Sequence, residues 1–101
     1  MNSEINRYKV NQEAQSILVR NGVDLTKLSY SFTGQTLYLS GSLLRDPAAQ
    51  FTVDEVRNLA QELLRHPHIA NLHWELDNWV VTQEFGVFSA TPLARKERGR
   101  R

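Results

Sequence analysis

Two short runs of alternating apolar and polar residues, joined by a two-residue glycine turn, most constrain what this chain can fold into. Leu28, Tyr30 and Phe32 alternate with Ser29, Ser31 and Thr33. After Gly34-Gln35 the alternation resumes, with Leu37, Leu39 and Leu43 set against Thr36, Tyr38, Ser40 and Ser42. A period of two marks strands with one buried face, and a two-residue connection with Gly first suits a tight hairpin. Gly41 holds an apolar-face position, which predicts a bulge or a close backbone approach, here by a packed helix.

Helical patterns flank the hairpin. Val10, Ala14, Ile17 and Leu18 recur at i, i+4, i+7 and i+8, predicting a helix from Ile5 to Asn21 that stops at Asn21-Gly22. Arg45 to Phe51, with Asp46-Pro47, reads as a loop. Thr52-Val53-Asp54-Glu55 is a capping box. Behind it Val53, Val56, Ala60, Leu63 and Leu64 form an apolar stripe, which Pro67 ends at His66. Leu72, Trp74 and Leu76 alternate with His73, Glu75 and Asp77 as a third strand. Beyond Asp77-Asn78 the parity flips, so that either a bulge restores the register or Trp79 and Val81 cover the open face; the bulge is the expectation. Phe85 to Phe88 is apolar enough to pack or to extend the strand.

A small sheet with one apolar face needs a cover, and two amphipathic helices supply it. The expected fold is α+β: a two-layer sandwich of order helix-strand-strand-helix-strand, with a three-stranded mixed sheet and both helices on one face. The expected domain spans residues 1–88, followed by a disordered basic tail at 89–101.

At 101 residues, 41% apolar and 23% charged, the chain has the composition of a single soluble globular domain. Its net charge of +1 conceals an asymmetry. Residues 95–101 carry +4, which leaves the first 94 residues at −3. The absence of cysteine excludes disulfides and thiol chemistry. The polar N-terminus lacks a signal-peptide core, and aliphatic runs are too short for a membrane span, so a cytoplasmic protein is expected.

The strand Leu37-Tyr38-Leu39-Ser40-Gly41, followed by Leu63-Leu64, Pro67-His68-Ile69, Leu72 and Leu76, resembles the BON domain over residues 5–82. His68 stands where that family usually has Gly, and Trp74 where it often has Asn. The resemblance implies a non-catalytic module that binds phospholipid surfaces or other proteins.

No residue pattern carries catalysis. His73, Glu75 and Asp77 share a strand face, but alternate residues lie roughly 6.5–7 Å apart and cannot surround one ion unaided. They read as a solvated face, and His66 and His68 as helix-end residues suited to the dipole. No serine occupies a nucleophile elbow, and no glycine-rich loop cradles phosphate. The expected protein is therefore not an enzyme and uses no metal or cofactor.

Binding is the remaining function. Arg95, Lys96, Arg98, Arg100 and Arg101 could meet an anionic phospholipid surface or, as the alternative function, nucleic acid. Tyr38 gives the open sheet face a single aromatic where a base-stacking platform needs two or three. Tyr38, Trp79, Phe85 and Phe88 form the expected interaction surface for a protein partner. The Trp79–Phe88 segment either folds back on its own domain or covers a second copy, and a homodimer is the expectation.

Overall fold

A computed structural model describes residues 7–45, 49–84 and 87–93 of the chain. The elements run α1 (Arg7–Arg20), β1 (Leu28–Thr33), β2 (Thr36–Gly41), β3 (Leu44–Arg45), β4 (Ala49–Gln50), α2 (Val53–Leu64), β5 (Asn71–Leu76), β6 (Trp79–Glu84) and β7 (Val87–Pro92). The fold is α+β. In the main sheet β2 is central, antiparallel to β1 and parallel to β5. The pairs β3–β4 and β6–β7 form separate two-stranded ribbons.

The strand pleat sorts side chains as the alternation predicts. Leu28, Phe32, Leu37 and Leu39 are buried together with Val10, Ala14, Ile17 and Leu18 of α1 and Val56, Leu59 and Leu63 of α2. Tyr38, between two buried leucines, is exposed. Because every second residue points the same way, one strand supplies both the floor of the core and a wet surface.

Local chemistry sets the helix ends. The Thr52 hydroxyl accepts from the Glu55 N–H at 3.2 Å, and the Glu55 carboxylate accepts from the Thr52 N–H at 2.9 Å, a complete capping box. Such a cap contributes about 1 kcal/mol. At the end of α1, Gly22 takes φ +83° and lets the Val23 N–H return to the Leu18 carbonyl at 3.0 Å.

Four expectations are corrected. Gly41 meets not a helix but the edge of β1: a Cβ there would lie 2.5 Å from the Lys27 carbonyl oxygen. The 45–51 stretch is no plain loop, since Leu44 pairs with Gln50 and Arg45 with Ala49. Asp77-Asn78 is no bulge that restores register; the chain bends there, leaves the sheet, and begins a hairpin in which Trp79 pairs with Pro92 and Glu84 with Val87. That hairpin also carries ordered structure past the expected boundary at residue 88, to Pro92.

The bend is anchored by Asn78, the one buried polar residue among those described. Its side-chain carbonyl accepts from the Leu43 N–H and its amide donates to the Leu43 carbonyl, both at 2.9 Å. Asn78 thus supplies Leu43 with the two bonds a neighbouring strand would have given.

Candidate interaction surface

The register of the main sheet lays its open face out in rows across β1, β2 and β5. Ser31, Tyr38 and His73 form one row, and Ser29, Ser40 and Glu75 the next. The Tyr38 and His73 rings lie 5.3 Å apart at a tilt of 53°, a geometry favoured by the aromatic quadrupole. His73 Nε2 lies 3.1 Å from Glu75 Oε2. The face is therefore a band of hydroxyls around one aromatic pair and one acid, suited to hydrogen bonding and ring contact.

Several other ionisable groups are engaged in structural pairs. His66 Nε2 lies 2.5 Å from Glu13 Oε1, which joins α2's end to α1. That hydrogen bond, with Lys9 nearby, holds the Glu13 carboxyl below its ordinary value. The Arg20 guanidinium and the Asn21 amide both donate to Glu62 and lower its carboxyl likewise. Arg45 donates to Glu55 at 2.9 Å. The Glu55 carboxyl is lowered first by the Thr52 N–H and then by Arg45. A cleft of about 340 Å³ between the end of α1 and the start of α2 is flanked by Arg20 and Arg45, so both of its cations already serve a carboxylate.

The acids and histidines do not converge. Asp77 turns to the Ser42 hydroxyl at 2.6 Å, away from His73 and Glu75. Among the described residues no group of three His, Cys, Asp or Glu side chains is placed to hold a metal ion.

The expected interaction residues divide. Tyr38 is 44% exposed. Trp79 is only 3% exposed and belongs to the core cluster, which corrects its assignment to a binding surface. The bend at Asp77-Asn78 points its indole inward, so the segment folds back on its own domain. Phe88 is half-buried, with the Arg57 guanidinium 5.6 Å from its ring centroid. Phe85 and the tail residues Arg95, Lys96, Arg98, Arg100 and Arg101 lie outside the described residues.

Sequence reasoning missed a second concave surface. The bend returns β6 alongside β5, so that Val81, Thr82 and Gln83 face Ala70 to Trp74 around a cleft of about 540 Å³ that Leu64 also lines. The one available signal was the alternation of Phe88 and Ala90 with Ser89 and Thr91, a strand pattern.

No family model matches the chain, and no curated protein or solved structure matches it either. Among the described residues no helix is long and apolar enough to cross a membrane.

Proposed function

We propose that this chain is a non-catalytic interaction module that docks a protein partner on the wet face of its sheet. One observation carries the reading: Tyr38, held on the central strand between two buried leucines, presents its ring to solvent beside His73. An aromatic with a polar tip on a rigid strand suits recognition, because little conformational entropy is lost when it is covered. With the two short ribbons set aside, α1, β1, β2, α2 and β5 follow one another in the order α-β-β-α-β, and this order and the strand Leu37–Gly41 support likening the module to a BON domain. Protein is favoured over lipid headgroup or nucleic acid because Glu75 lies beside the aromatic pair, where it repels phosphate.

Placing a photo-crosslinking phenylalanine analogue at Tyr38, and separately at the exposed helix position Ser16, tests the reading. A discrete adduct from position 38 alone, competed by excess unmodified protein, supports it; an adduct of twice the chain's mass identifies the partner as a second copy. No adduct, or equal adducts from both positions, overturns it.

A further inference from the structure

We propose that the cleft between β5 and β6 takes an extended segment of a partner protein as an additional strand, hydrogen-bonded along both of its edges. This site is separate from the Tyr38 face and rests on the preceding reading only in taking polypeptide as the partner.

The argument begins with where peptide groups point. The N–H groups of Asn71 and Asp77 donate to the Gln35 and Gly41 carbonyls on the β2 side. Alternate residues of a strand address the same neighbour, so 73 and 75 do so as well. The peptide groups of Leu72, Trp74 and Leu76 therefore point the other way, toward the cleft. On the facing strand, the Leu93 N–H donates to the Asn78 carbonyl at 3.0 Å. This fixes 78–93 as a bonded pair of the β6–β7 ladder, and with it 80–91, 82–89 and 84–87. Pro92, which has no N–H, falls correctly in the unbonded position opposite Trp79. The peptide groups of Trp79, Val81 and Gln83 thus point away from β7.

Two rows of peptide groups left unpaired by β2 and β7 consequently flank the cleft, and among the described residues no strand pairing joins β5 to β6. The strands are tied together at the Asp77-Asn78 bend and open away from it, where the cleft lies. The sheet's opposite edge is treated differently. The Phe32 N–H, which points outward from β1, is taken by the Asn11 side chain at 3.1 Å. One edge is guarded by a helix residue, while the other faces a cleft whose volume lies in the range of ligand sites, about 300–1,000 Å³.

The lining chooses the occupant. Leu64, Leu72, Trp74 and Val81 supply apolar patches, Asn71, His73, Thr82 and Gln83 supply polar ones, and no Asp, Glu, Lys or Arg is among the described residues that border the cleft. An inserted strand would turn every second side chain toward these residues, and those side chains must be uncharged, with apolar ones over Leu72, Trp74 and Val81. The segments flanking the described residues suit it poorly. Residues 94–101 hold five basic residues and a single apolar one, and residues 1–6 hold only two apolar side chains, Met1 and Ile5, with Ser3 between them on the same strand face. The occupant is thus a stretch from another protein in which valine-like residues alternate with small polar ones.

The experiment titrates ¹⁵N-labelled full-length protein with the peptide acetyl-Thr-Val-Thr-Val-Thr-amide. A twin methylated on both valine nitrogens serves as control. The expected result is chemical-shift change and slowed exchange at the amides of Trp74, Val81 and Gln83 with the first peptide only. Gln83→Pro removes one cleft-facing donor without touching the β6–β7 ladder. It should weaken binding about fivefold, the equivalent of one hydrogen bond, whereas Gln83→Val leaves binding unchanged. Equal response to both peptides, or no response at those amides, overturns the proposal whatever the variants do. Shifts confined to Tyr38 and His73 also overturn it, while supporting the open-face reading.

Discussion

Gly41 sits where a side chain would collide with the neighbouring strand. Its φ of +107° disfavours any other residue, and an added Cβ would lie 2.5 Å from the Lys27 carbonyl oxygen, which already accepts from the Ser42 N–H. Gly41→Ala should cost about 2–3 kcal/mol through strain and displaced backbone, read as a lowered midpoint in urea. Asn78 presents the converse case, a polar side chain that belongs in the core. Asn78→Ala strands both the N–H and the C=O of buried Leu43. Two orphaned groups cost roughly 2–5 kcal/mol, so the variant should melt far below the native protein. A melting temperature unchanged by that substitution would show that Leu43 finds other partners. Gly41's need for space was legible in its strand position, whereas Asn78's role was not. Nothing in Asp77-Asn78 distinguishes an exposed turn from a pair in which the second amide reads a distant backbone.

Helix and strand identities were set by short-range signals, and these were legible: the Leu28–Thr33 alternation, the Thr52–Glu55 box and the Asn21-Gly22 stop all appear as expected. The β6–β7 hairpin escaped because its inner face, with Trp79, Val81, Phe88 and Ala90, packs against helix and core and does not pair with β5. Parity along one strand says nothing about a bend that moves the next strand off the sheet. At this scale the elements are tied together by carboxylates, and that sets a pH dependence. Glu13, Glu55 and Glu62 all titrate below the ordinary glutamate value when folded. An unfolded chain binds protons at those sites near pH 4.3, before the folded one does. Their stabilisation is therefore fully present above that pH and is lost as pH falls through the lower folded values. Thermal midpoints should hold above the ordinary glutamate range and fall as the pH drops below it. Level midpoints down to pH 3 would remove these contacts from the account.

The molecule as a whole divides its polarity by face. Two helices seal the leucine side of a three-stranded sheet, the hairpin closes back beside it on the bend, and the serine, tyrosine and histidine side stays wet. The expectation that Trp79 served a partner failed because the molecule used that indole to extend its own core. Domains of this size gain stability from every additional buried ring. What survives is the face around Tyr38, and its standing depends on the pleat of β2. Solvent paramagnetic relaxation, measured along that strand with a neutral gadolinium chelate, tests this directly. The side-chain protons of Tyr38 should relax strongly and the methyls of Leu37 and Leu39 hardly at all. Leucine methyls relaxed as strongly as the Tyr38 ring would place the core on the other side of the sheet and contradict the account.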